Sequence, residues 1–166
     1  MNQALPLIAV AALLLAGGCP SDSVSPGGPL EVTRIMPGGG PVGHSGLTSP
    51  MRLAIFDAGT FAETWERAFA NHDPKPALPK VDFAHEFVVV TAMGEQATGG
   101  YAIEVSGAAT DDAGAVVGVK LTVPGKGCPV TLATTQPTDI VKVERPSSGT
   151  VRVRFEERTT STDCLP

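Results

Sequence analysis

The sequence predicts a mainly β protein, an antiparallel β-sandwich or barrel-like sheet of about six to eight strands with one α-helix. Three observations predict it. From Val81 onward, apolar residues recur with period two in closely spaced runs, which is the signature of strands whose alternate side chains face a core. Short turn signals separate the runs: Gly99-Gly100, Asp111-Asp112-Ala113-Gly114, Pro124-Gly125-Lys126-Gly127 and Pro146-Ser147-Ser148-Gly149. One segment alone, around Phe61 to Phe69, repeats at helical spacing.

Taken in order, Leu30 to Met36 makes one short strand inside a Gly/Pro/Ser-rich stretch. The flanking residues, Pro20 to Pro29 and Pro37 to Gly43, offer little to bury, so residues 19–50 read as a flexible tether. Met51 to Phe56 is the next strand. Thr60-Phe61-Ala62-Glu63 has the form of a capping box that opens the helix. Phe61, Trp65, Ala68 and Phe69 then form an apolar stripe suited to core packing, and Asp73-Pro74-Lys75-Pro76 stops the helix because proline cannot continue it.

Phe87, Val89, Thr91 and Met93 lie on one face of a strand and Val88, Val90 and Ala92 on the other. Both faces are apolar, as in a central strand buried on two sides. Tyr101, Ile103 and Val105 form the inward row of another strand, and Val117, Val119, Leu121 and Val123 of a third; Val130 and Leu132 continue the pattern. Ile140 to Val143 follows as a short strand. Val151, Val153 and Phe155 alternate with Arg152, Arg154 and Glu156 in a half-exposed one. Residues 51–166 therefore read as a single β-rich domain.

The N-terminus carries a different signal. Ala4 to Ala16 is apolar apart from Pro6, yet shorter than the about 20 residues that cross a membrane as a helix. It fits the core of a secretory signal. The run ends in Leu15-Ala16-Gly17-Gly18-Cys19, which resembles the lipobox of bacterial lipoproteins. That likeness implies removal of residues 1–18, acylation of Cys19, and a mature protein anchored by lipid in the cell envelope, outside the cytoplasm. The segment before the apolar run has no Lys or Arg.

Cys128 and Cys164 remain once Cys19 is set aside. An even pair in an oxidising compartment reads as a disulfide. It would close a loop of about 37 residues and contribute about 3–4 kcal/mol in the chain-entropy model.

Composition and motifs narrow the function classes. Charged residues are 17% of the chain and the formal net charge is −5, so the basic stripe needed for nucleic acid is missing. Gly38, Gly40 and Gly43 satisfy G-x-G-x-x-G by chance, since Pro41 and further turn residues stand where a helix should open. His44-Ser45-Gly46 is no nucleophile elbow, because Leu47 occupies the place of the last glycine. Asp111-Asp112 sits in a turn and Glu156-Glu157 near a strand end, as solvated carboxylates do. His44, His72 and His85 lack ligand spacing. The expectation is a non-enzyme with no cofactor and no metal.

Gln96-Ala97-Thr98-Gly99-Gly100-Tyr101-Ala102-Ile103 is the most distinctive segment, with paired glycines and the chain's only tyrosine at a turn entering a strand. Thr98, Gly99, Gly100 and Tyr101 are the candidate partner contact. Together with Val81-Asp82-Phe83, Phe87-Val88-Val89-Val90, Pro124 to Cys128, Gln136-Pro137 and Ile140-Val141-Lys142-Val143, in that order, this segment resembles the C-terminal domain of the PrcB family of protease-complex subunits. The resemblance covers about residues 81–157. It implies a noncatalytic protein-binding module supporting a surface or secreted protease, and supplies no catalytic residues. A more distant likeness links Thr98-Gly99-Gly100-Tyr101 to the Thr-Thr-Gly-Tyr loop of chagasin-type cysteine-protease inhibitors, although Arg145-Pro146-Ser147 departs from their Arg-Pro-Trp loop. Protease inhibition is thus the alternative expectation, and a structural envelope protein without a protease partner is the third.

Overall fold

The computed structural model describes residues 27–146 and 151–164. The signal segment, Cys19, the tether up to residue 26 and most of the turn at 146–149 lie outside the described residues. Eight strands form two four-stranded sheets. The first sheet has the order β1 (Pro29–Leu30), β5 (Ala102–Asp111), β6 (Gly114–Thr122), β8 (Val153–Thr160). The second has the order β2 (Val32–Arg34), β7 (Thr138–Glu144), β4 (Glu86–Met93), β3 (Pro50–Ile55). No closed barrel forms among the described residues; the fold is a β-sandwich.

The period-two pattern explains the layering. Phe87 and Val89 of β4, with Val141 and Val143 of β7, face Ile103, Val105, Val117 and Val119 of the opposite sheet. The intervening Val88, Val90, Ala92 and Ile140 face the other way. There the helix α1 (Ala58–Ala68) covers them with Phe61, Trp65 and Ala68, helped by Phe69 just beyond it. β4 is buried on both faces because it is the middle layer of a helix–sheet–sheet stack. Trp65 also donates its indole N–H to the Pro76 carbonyl at 3.1 Å, so the stretch after the helix is tied back to it.

Several local expectations are corrected. The helix is capped by Asp57, whose carboxylate accepts the Thr60 N–H at 2.8 Å. Thr60 lies inside the first turn and no capping box forms with Glu63. An Asp N-cap contributes about 1 kcal/mol, so Asp57→Ala should lower stability by that amount in denaturant melts, and Thr60→Ala by less.

The tether reading fails from Pro29 on. β1 pairs with β5 and β2 with β7; Val42 bridges Thr138, and Met36 and Leu47 are buried in the helix-side core. At Gly46 the missing side chain is required by close approach to the helix. A Cβ on Gly46 would stand 2.1 Å from the Arg67 carbonyl, where the Gly46 N–H satisfies the end of the helix by bonding Ala68.

Val130 and Leu132 belong to no strand; they lie in the long connection between β6 and β7. Finally, one pair is parallel. β8 runs beside β6 in parallel register, Ala115 opposite Val153 and Thr122 opposite Thr160. The chain leaves β6, crosses to the other sheet for β7, and returns to the edge, a path that period and turn signals do not encode.

Candidate functional site

The ends of the sandwich differ in chemistry. One pole gathers the start of β5 and β7 and the end of β4, β6 and β8. The other holds the β5–β6 turn and the first residues of β4.

At the first pole the connection 123–137 is pinned along both arms. On one arm, Val123 donates to Thr160, Lys126 to the Asp163 carboxylate at 2.8 Å, and Cys164 to Lys126 at 3.0 Å. The Cys128–Cys164 disulfide joins the same two segments, with a Cα–Cα distance of 4.8 Å; the expected pairing is formed. On the other arm, Thr135 and Gln96 exchange backbone hydrogen bonds of 2.8 and 2.9 Å, the Thr135 hydroxyl donates to the Thr98 carbonyl at 2.9 Å, and the Gly99 N–H donates to the Thr131 carbonyl at 2.9 Å. Gln136 donates to Gly43. Between the arms, Leu132 is 94% exposed. The loop thus holds one large apolar side chain in water between pinned flanks.

Thr98, Gly99, Gly100 and Tyr101 lie together beneath this loop. Gly99 is buried and Tyr101 half-buried. Gly100 takes the left-handed region with φ of 86°, and a Cβ there would press on Val130 and Pro124. The turn therefore holds the neighbouring loop as much as it offers a surface of its own. Arg145 follows the far end of β7, packed over the Phe56 ring at 5.2 Å. The Thr98–Tyr101 turn and the Arg145 segment thus sit at opposite poles, and the two-loop wedge of a chagasin-type inhibitor does not assemble.

The motifs set aside as non-catalytic have structural roles. Ser45 is buried and shares a 2.8 Å hydrogen bond with the Thr138 hydroxyl. Asp111 turns the β5–β6 hairpin by accepting the Ala113 N–H, and pairs with Arg154. Glu157 lies 2.6 Å from Arg52 Nε on the edge strand of the other sheet, off the hydrogen-bond direction, so that contact is an ion pair alone. Among the described residues no group of three or more His, Cys, Asp or Glu is gathered in ligand geometry.

Sequence reading missed one polar unit, at the same pole. Asp139 has no exposed surface. Its carboxylate takes two 2.8 Å hydrogen bonds from Arg34, Nε to Oδ1 and Nη2 to Oδ2. Oδ2 also accepts the Val105 N–H at 2.9 Å, and Arg34 Nη2 reaches the Val105 carbonyl at 3.3 Å. The pair links β2, β7 and β5 across both sheets, beside the bulge between Val105 and Gly107. Asp139, by its side-chain bond and its charge, holds the Arg34 guanidinium pKa above its ordinary value. A polar cleft of about 240 Å³ lies outside it, lined by Arg34, Glu104 and Ser106.

Near the opposite pole, Lys142 Nζ lies 2.6 Å from Glu86. The hydrogen bond from that ammonium holds the Glu86 carboxyl below its ordinary value. A depressed carboxyl stabilises the fold above its unfolded pKa, and that contribution disappears as pH falls through the folded pKa. Lys142→Met should therefore cost up to about 1 kcal/mol at neutral pH, with the gap to the wild type closing as the carboxyl takes up its proton in melts run across the acid range. A constant gap would reject the pair as its cause.

Residues 87–144, from β4 to the end of β7, match the family model described as PrcB C-terminal. No curated protein and no solved structure matches the chain significantly. The matched span contains the Thr98–Tyr101 turn, the loop carrying Leu132, and Asp139.

Proposed function

We propose, on the premise that residues 87–144 are a PrcB C-terminal domain, that the chain is a noncatalytic protein-binding subunit of a surface or secreted protease complex. The family match is the observation that carries this reading. A role associated with a protease complex agrees with it, and the stapled pole supplies a surface of the right kind: rigid, uncharged at its tip and apolar at Leu132. Thr98, Gly99, Gly100 and Tyr101 form its base.

The anchor belongs to the same proposal. Acyl chains on Cys19 would hold the protein at the cell envelope. Residues 20–28 give a reach of about 15–18 Å, from 5–6 Å × √n. The chain enters the fold beside Thr110, which bonds the Gly28 carbonyl at 3.0 Å. Thr110 lies near the end of β5 remote from Tyr101, and a strand of that length spans about 30 Å. The geometry supports a domain that presents its stapled pole away from the lipid, toward proteins concentrated at the same surface.

A photo-crosslinking side chain installed at Thr134, at the stapled pole, tests the reading against one at Asp112, near the chain's point of entry. In membranes, a protease adduct is expected from Thr134 and not from Asp112. Equal adducts at both positions, or none from Thr134, would sink it. Cys19→Ala should move the protein from the detergent phase to the soluble fraction; retention with the membranes would remove the anchor from the proposal.

A further inference from the structure

The two sheets differ in what covers their outer sides. The helix α1 packs over the second sheet through Phe61, Trp65 and Ala68. The outer side of the first sheet, carried by β5, β6 and β8, has no element across it among the described residues. Its charges are sorted by strand. On β5 the outward charged residues are Glu104 and Asp111; on β8 and the residue before it they are Arg152, Arg154 and Arg158, against one acid, Glu156. Arg154 is paired with Asp111 and Glu156. Lys120, Arg152 and Arg158 are exposed and form no ion pair among the described residues, although the chain has a net charge of −5. One edge of the face is acidic, and the other carries cations without partners.

A face polarised across its strands can satisfy itself. With a second copy turned about a two-fold axis along β6, β5 of each copy lies over β8 of the other. Rotation about that axis permits no slip along the strands, so residues meet at their own level in the ladder. The register fixes those levels. Glu104 stands beside Lys120 and Lys120 beside Arg158, so Glu104 meets Arg158 of the second copy. Asp111 stands beside Gly114, and the Ala115 N–H bonds the Arg152 carbonyl, so Asp111 meets Arg152 of the second copy. Between these levels, the long side chains of Glu156 and Arg154 meet Gly107 and Ala109, which leave room for them. Lys120 falls beside the axis, and its flexible stem lets the ammonium turn to either Glu104. Packed sheets keep their strands aligned within about 30°, which this arrangement satisfies. It also places both chain entries at Gly28 at one end, so that two tethers reach one lipid surface.

From the sorted charges and their match in register, we propose that the outer face of the first sheet is a contact between two copies of this chain, packed face to face with their strands running the same way. The contact goes beyond the protease-complex reading and does not depend on it. Three strands about 4.8 Å apart and roughly 30 Å long present about 400 Å² per copy. That area falls short of a standard stable interface, so the dimer is a weak one.

The test therefore uses the purified full chain in detergent at roughly 100 micromolar, enough to populate a micromolar complex. Val116 lies on β6 beside the axis, opposite its own copy. Val116→Cys treated with a short bismaleimide should give a covalent dimer across the gap of about 10 Å between packed sheets. Glu63→Cys, on the helix side and with the same native cysteines, should give little. In the Val116→Cys background, Arg158→Glu should cut the yield about tenfold or more by placing like charges together, at unchanged circular dichroism. Arg152→Glu should act in the same direction. Adding Glu104→Arg to Arg158→Glu swaps the pair and should restore the dimer. The proposal is overturned if Val116→Cys gives no dimer, if Glu63→Cys gives as much, or if Arg158→Glu and Arg152→Glu both leave the yield unchanged. If the purified chain stays monomeric while Val116→Cys captures a different protein in intact cells, the face belongs to that partner and the self-contact is wrong.

Discussion

Replacing Arg34 by Met is expected to cost about 3–5 kcal/mol at neutral pH, the penalty of stranding a buried charge. The substitution itself is mild. Met keeps most of the apolar stem, and Arg34 is 23% exposed, so little packing is lost. The cost falls on its partner. Asp139 has no exposed surface and would keep only the Val105 N–H as a donor. The defect therefore comes from the buried carboxylate left without its cation, and not from lost packing.

Asp139→Asn in the Arg34→Met background isolates the cause. The amide removes the charge and keeps an oxygen for the Val105 N–H, so most of the lost stability should return. Asp139→Leu in the same background removes the charge but leaves Val105 unpaired, and should return less, by about 1–3 kcal/mol. Denaturant melts at neutral pH measure all three. A loss below about 1 kcal/mol for Arg34→Met would show that the pair behaves as a surface bridge, and the view of it as a link between the sheets would fail.

The sequence hides this pair for physical reasons. The strand β7 is legible as Ile140 to Val143 because those residues are apolar. Asp139 occupies the same inward row as Val141 and Val143, at the point where the row meets the pole, and a polar residue there looks like the end of a strand. Arg34 sits in a three-residue edge strand within a Gly/Pro-rich stretch, where composition argues for a tether. Neither residue alone predicts the other at a separation of 105 positions. By contrast, the two-faced apolar run of β4 and the Phe61–Trp65–Ala68–Phe69 stripe announce a strand buried on both sides and a helix packed on the core, since periodicity reports burial directly. The parallel return of β8 and the exposure of Leu132 are illegible for a common reason. Both depend on where a long connection travels, and Leu132 continues an alternating pattern that only tertiary pairing cancels. The Thr98–Tyr101 turn is conspicuous in sequence, but its paired glycines admit the neighbouring loop, a role visible only once both segments are in place.

The second large effect concerns that loop. Converting Cys128 and Cys164 together to Ala should destabilise the fold by about 3–4 kcal/mol, the chain-entropy cost of opening a loop of this size. The bridge spans 36 positions and encloses both β7 and β8, so its loss frees the unfolded chain over the segment that returns to the sheet edge. The folded state retains other ties between the same segments, Val123 to Thr160 and Lys126 to Cys164 and Asp163. Native structure should therefore survive, with a lowered melting temperature and an unchanged circular dichroism spectrum. Local behaviour then separates two roles for the bridge. If it only cross-links the unfolded chain, amide exchange at Gly99 and Thr135 should accelerate no more than the global stability requires. If it also stiffens the pole, Gly99, whose N–H holds the Thr131 carbonyl, should exchange faster than the rest of the core by local opening. The second outcome is expected, because the Leu132 loop has one arm fastened by the disulfide segment and the other by Gln96, Thr98 and Gly99. Freeing one arm lets the loop swing on the other. The same substitution should weaken any partner binding that depends on the presented Leu132, in proportion to the order lost.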